Sequence, residues 1–137
     1  MSEKGLRPFR EKETVAQAYD EWTDDGVLEM VWGSHVHLGY YESPRPFWMQ
    51  SLRVCQERLL EKLIDMAQIQ ESPLEILDVG CGIGGSVQWM AQRFPQARVS
   101  GITISSKQVE RATQLSALSN THFSEMDAMN LRYADHT

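Results

Sequence analysis

The segment Glu75-Ile76-Leu77-Asp78-Val79-Gly80-Cys81-Gly82-Ile83-Gly84-Gly85 constrains this chain more than any other. A short apolar run that passes through an aspartate into closely spaced glycines predicts a β-strand ending in a tight turn. With no Cβ atoms in the way, a ligand can lie against that backbone. Gly80, Gly82 and Gly85 satisfy the G-x-G-x-x-G spacing of a dinucleotide site, which also calls for an acidic residue about 20 positions later to hold a ribose hydroxyl. Val99-Ser100-Gly101-Ile102-Thr103-Ile104 contains none. A carboxylate at Asp78 would repel a pyrophosphate at short range and attract a cation. A nicotinamide oxidoreductase is therefore disfavoured, and a cationic, phosphate-free ligand is favoured.

The rest of the chain alternates helix and strand. Val15, Ala18, Tyr19 and Trp22 stand at helical spacing from Glu11 to about Trp22. Gly26 to Pro46, rich in glycine and aromatics, predicts irregular structure closed by Pro44 and Pro46. Leu52, Cys55, Leu59, Leu63 and Met66 repeat at threes and fours, so a helix should lie against the sheet, with Pro73 parting it from the first strand. After the glycines, Val87, Met90, Ala91 and Phe94 predict a helix that Pro95 ends. Arg98 to Thr103 is a β-branched second strand. Ser105 and Gln108 have capping-box spacing ahead of a helix with Val109, Ala112 and Leu115 or Ser116 inward. Thr121 to Met126 is a third strand. These spacings imply parallel strands joined by right-handed crossovers, with ligands beyond the strands' carboxyl ends. Asp78 to Gly82, Thr103 to Gln108 and Asp127-Ala128 all fall there.

Composition excludes other classes. At 137 residues the chain is about one domain or less. Its net charge of -6 and lack of a basic cluster argue against a nucleic-acid partner. No apolar run approaches the ~20 residues of a membrane span. Residues 1–7 have neither signal nor transit character, which makes the cytoplasm the default compartment. Cys55 and Cys81 are expected to be free thiols. His35 and His37 lie at i, i+2 with nothing nearby to complete a metal site, so no metal is expected.

S-adenosylmethionine, a sulfonium and an ammonium on an adenosine, has the charge that Asp78 favours. Leu77-Asp78-Val79-Gly80-Cys81-Gly82-Ile83-Gly84-Gly85 resembles the first motif of the class I methyltransferases. Trp32-Gly33-Ser34-His35-Val36-His37-Leu38-Gly39-Tyr40-Tyr41 and Gly101-Ile102-Thr103-Ile104-Ser105 with Gln108 narrow the resemblance. They are similar to the tocopherol O-methyltransferase-like group and its sterol methyltransferase relatives, from about Val15 onward. The resemblance implies an α/β, Rossmann-like methyltransferase fold, here its N-terminal half: three parallel strands with flanking helices. Residues 1–50 would form a helical, aromatic lid and residues 51–137 an incomplete cofactor-binding domain.

Carried over by position, the resemblance places the methionine moiety near Gly80, Cys81 and Gly82, with Asp78 supporting the loop or the ammonium. Thr103, Ile104 and Gln108 would surround the ribose and adenine, and Asp127 and Ala128 would meet the adenine edge. Thr103 could equally be a plain strand residue, Gln108 half of a capping box, and Asp127 a turn cap. Tyr19, Trp22, Trp32, Tyr40 and Tyr41 are candidates to wall an acceptor pocket, with core packing the competing role. His35 or His37 could act as general base for a small-molecule methyl acceptor. Relatives continue into a fourth strand beside the first, whereas Leu131 to Thr137 reads as the loop before it, with Arg132 where relatives often carry proline. The first strand would then be an open edge, and the chain alone would have little activity unless a missing C-terminal half joined it. A non-catalytic cofactor-binding or interaction module is the other class of function left open.

Overall fold

The structure, a computed structural model, describes residues 12–42, 46–69 and 75–134. Pro44, Pro73, the helix start at Glu11 and the end of the tail, residues 135–137, lie outside the described residues. Helix α1 spans Lys12–Asp24 and α2 Val27–Trp32; a 3-10 turn at Phe47–Met49 precedes α3, Leu52–Ala67. Then β1 (Glu75–Val79), α4 (Gly85–Arg93), β2 (Arg98–Thr103), α5 (Ser106–Leu115) and β3 (Thr121–Glu125) alternate.

The strands form one parallel sheet in the order β1-β2-β3. Its register sets Asp78 beside Gly101 and Gly101 beside Phe123. One face is buried under α4, where Val87, Ala91, Phe94, Ala97 and Val99 close around Cys81. The Asn120 side chain donates to the carbonyls of Ala91 and Ala97, both at 3.1 Å, which ties the α4–β2 turn to the start of β3. Such satisfaction of buried carbonyls is what a turn inside a core requires.

Two expectations are corrected. The stretch after Gly26 is not irregular throughout: Gly26 and Gly33, both at positive φ, bracket the short helix α2. Glycine makes these reversals without the Cβ clash, so six residues can coil between them. On α3, Cys55 is buried, whereas Leu63 and Met66 of the supposed inward face are 52% and 80% exposed. Ile64 packs against the core instead.

Among the described residues β1 pairs only with β2, and Leu77 and Val79 on it are 38% and 52% exposed. No helix among the described residues is long and apolar enough to cross a membrane. They hold no group of three or more potential metal ligands.

Candidate functional site

At the end of β1 the backbone N–H groups of Gly80 and Cys81 both donate to the carbonyl of Ile102, at 2.8 and 3.0 Å. Gly80, Gly82 and Gly84 sit at φ of 81, 55 and 86°, conformations that side chains with a Cβ rarely adopt. The turn therefore folds back over β2 and opens onto two cavities.

The larger, about 790 Å³, lies above the carboxyl ends of all three strands. Gly80, Gly82, Thr103, Ile104, Gln108, Asp127 and Ala128 all line it, so seven of the nine cofactor residues proposed from sequence meet in one hollow. Its size is in the range of small-molecule sites. Thr103 and Gln108 are buried, and the Thr103 hydroxyl donates to Gln108 Oε1 at 2.7 Å. That bond fixes the orientation of the amide on the cavity wall. The capping box is half closed: Ser105 Oγ accepts from the Gln108 N–H, but the Gln108 side chain turns to Thr103. Asp127 Oδ1 accepts from the Met129 N–H at 2.9 Å, a turn cap on the cavity wall.

The smaller cavity, about 440 Å³, shares Val36, Gly80 and Gly82 with the first. Asp78, His37 and Cys81 line it beside Leu59, Leu63 and Ile64 of α3. Burial pushes the Asp78 carboxyl above its ordinary 3.8, and His37 partly offsets this. Burial outweighs His37 and disfavours the ionised form, so a positive ligand group would be stabilised there. The Cys81 thiol is pushed up to about 12 by burial and by Asp78. It packs over Gly101, where any Cβ would come within 2.8 Å of its sulfur. The thiol is therefore held in its protonated form, packed against β2.

The two histidines diverge. Their rings meet edge to face, centroids 5.4 Å apart. His37 Nδ1–H donates to the Leu38 carbonyl at 2.8 Å, so that in the neutral ring the lone pair is on Nε2, a buried atom without a partner. His35 is 5% exposed and lines a separate polar hollow with Arg53, Glu57, Gln88 and Gln92. Burial first, then His37, hold its pKa below 6.5 against the opposing pull of Glu57. His37 thus joins Asp78 and the glycine turn, and His35 does not.

Of the five aromatic residues, Tyr19 lines the larger cavity. Trp22 stacks on Tyr19 at 5.5 Å, edge to face. Tyr40 lies under the Lys62 ammonium at 5.7 Å, and its N–H donates to the Cys55 carbonyl. The Trp32 carbonyl accepts from Gln56. Tyr41 is 36% exposed and lines neither cavity. Sequence reasoning missed Val15, Ala16, Val36, Glu125, Met126, Asn130 and Arg132 on the cavity wall. Val15 and Tyr19 at i, i+4 were the available signal.

Residues 76–137 match the family described as a methyltransferase domain. The 2-methyl-6-phytyl-1,4-hydroquinone methyltransferase of Synechocystis sp. is 40% identical, over 94% of this chain and 41% of that protein. The chloroplastic tocopherol O-methyltransferase of Arabidopsis thaliana is 31% identical, over 88% of this chain and 37% of that protein. Among solved structures, the [4+2]-cyclase SpnF superposes with a TM-score of 0.78 at 29% identity, covering 92% of this chain and 46% of its own. Coclaurine N-methyltransferase bound to N-methylheliamine and SAH shares the fold, with a TM-score of 0.66 at 24% identity over 95% of this chain and 41% of its own. The chain spans about two fifths of the length of these curated relatives. With the strand, glycine turn and helix inside the matched methyltransferase domain and relatives aligned along most of its length, the chain is similar to the N-terminal portion of the class I S-adenosylmethionine-dependent methyltransferases of the tocopherol O-methyltransferase group.

Proposed function

We propose that this chain binds S-adenosylmethionine and supplies the donor side of methyl transfer to a small hydrophobic acceptor: a phenol, an amine or an isoprenoid-like molecule. The observation that carries this reading is the single cavity of about 790 Å³ in which the glycine turn, Thr103, Ile104, Gln108, Asp127 and Ala128 converge. Asp78, in the adjoining hollow, faces the amino-acid end of the donor and favours its ammonium. The NH₂ of Gln108 and the backbone of Ala128 serve as donors to the nucleoside, and Asp127 as an acceptor.

In the reaction an electron pair of the acceptor, the lone pair of a phenol or amine or the π pair of an isoprenoid double bond, forms a bond to the sulfonium methyl as the sulfur–methyl bond breaks, with its electron pair left on sulfur. Holding the two at roughly 3 to 3.5 Å is the main task of the protein. A phenol or ammonium acceptor also gives up a proton, and His37 Nε2, with its tautomer set by Leu38, is the base the arrangement favours. Tyr19 and Val15 wall the cavity and exclude water. The open edge of β1 is met by a further segment in the acting enzyme, which brings most of the acceptor pocket. This is supported by the exposure of Leu77 and Val79 and by the greater length of the relatives.

A cofactor-binding module without methyl transfer is the second reading, favoured by the likeness to a cyclase. Transfer of a labelled methyl group from S-adenosylmethionine to a prenylated hydroquinone separates the two. The assay is run with this chain alone and with the C-terminal half of the Synechocystis relative supplied in trans. Labelled product that needs the added half supports the proposal. Tight S-adenosylhomocysteine binding with no labelled product under either condition favours the module.

A further inference from the structure

We infer that Asp20 is a positioning residue that couples closure of α1 over the large cavity to occupation of the nucleoside end of that cavity. The inference rests on the cofactor reading above. Asp20 lies on α1, beside Tyr19 on the cavity wall, and reaches 85 residues along the chain to the start of α5. Its Oδ1 accepts from the Ser105 hydroxyl and, at 3.2 Å, from the Lys107 N–H. Ser105, fully buried, is itself the N-cap of α5 and accepts from the Gln108 N–H at 3.1 Å. Gln108 in turn accepts from Thr103, whose oxygen accepts from the Ser105 N–H at 3.3 Å.

The start of α5 thus has two caps, one from its own chain segment and one from α1, and both converge on the side chains that wall the nucleoside end. Removing the carboxylate strands a buried hydroxyl hydrogen on Ser105 and an orphan N–H on Lys107, a change that must be relieved at Gln108 or by letting α1 go. Conversely, a ligand that fixes Thr103 and Gln108 fixes Ser105, and through Asp20 it holds Val15, Ala16 and Tyr19 over itself. Coupling of this kind is reciprocal. The bidentate ion pair of Glu29 with Arg111, 2.8 Å at each contact, also fastens the lid to α5, but neither residue lines the cavity. It is the natural control.

Hydrogen exchange of α1 with and without saturating S-adenosylhomocysteine, together with its calorimetric affinity, tests the coupling. In the unaltered protein the ligand slows exchange in α1, and the Lys107 amide slows by the same factor. In Asp20→Ala that slowing of α1 disappears while the glycine turn is still protected, and affinity falls about tenfold, as loss of a charged hydrogen bond would give. Asp20→Asn, whose side-chain oxygen still accepts both hydrogen bonds, retains most of the coupling. Arg111→Met raises α1 exchange in both states but keeps the ligand-induced difference. The coupling is overturned if α1 in Asp20→Ala slows on binding as in the unaltered protein, or if Lys107 and α1 respond by different factors. No ligand binding at all by the unaltered protein overturns the cofactor reading itself, a separate failure.

Discussion

The Thr103 hydroxyl donates to Gln108 Oε1 across 2.7 Å, in a spot where both side chains are almost fully buried. Thr103→Val keeps the shape and removes the donor, so a buried acceptor is left without its partner and the amide is free to turn. We expect a stability loss of about 1–3 kcal/mol in urea unfolding, with S-adenosylhomocysteine affinity roughly tenfold lower by calorimetry. Unchanged affinity would show that the orientation of Gln108 does not matter to the ligand.

Asp78 predicts a pH effect with opposite signs for stability and for binding. Burial raises the folded carboxyl above 3.8 while the unfolded one ionises near that value. Between the two the folded state holds a proton that the unfolded chain has released. Its contribution to stability is therefore full below 3.8 and lost as pH rises through the folded value. A ligand ammonium selects the ionised form, so affinity should climb with pH over the same window and then level. Asp78→Asn should flatten this dependence and bind about tenfold or more weakly at neutral pH. Calorimetric titrations across the acid range check both.

His35 gives the reverse slope for stability. Its folded pKa lies below 6.5, so the buried neutral ring contributes stability that is present above 6.5 and lost as pH falls through the folded value. The melting temperature should drop between about pH 7 and pH 5 and drop less in His35→Gln. His37→Gln, by contrast, should lower methyl transfer. A His35→Gln enzyme that loses turnover at unchanged stability, beside an active His37→Gln, would reverse these assignments.

Gly85 should tolerate no side chain. A Cβ there would lie 2.2 Å from the Ser34 carbonyl oxygen, the acceptor of the Gly85 N–H. Gly85→Ala must push the Ser34–His37 segment off the glycine turn, at a cost of about 1–3 kcal/mol. A shifted urea midpoint and weakened ligand binding would together mark the displacement.

Much of the frame was legible before any coordinates. The strand through Asp78, the glycine turn, β2 and the Ser105 cap are set by local chemistry, so periodicity and motif found them. What escaped depends on contacts distant in sequence. Nothing near Asp20 points to Ser105, and only the crossing of α1 over α5 brings them together. Leu63 and Met66 have the spacing of a buried face, but α3 meets the core through Ile64. His35 and His37 looked equivalent as a pair two residues apart. Their separation into different hollows follows from how the backbone is held, with Gln56 donating to the carbonyls of both at 2.6 and 2.8 Å.

The most direct measurement is calorimetric titration of the protein with S-adenosylhomocysteine and, separately, with NAD. An acidic, phosphate-averse hollow beside the glycine turn predicts saturable binding of the first, abolished or strongly weakened in Asp78→Asn, and none of the second. Binding of NAD with no response to S-adenosylhomocysteine would contradict the account.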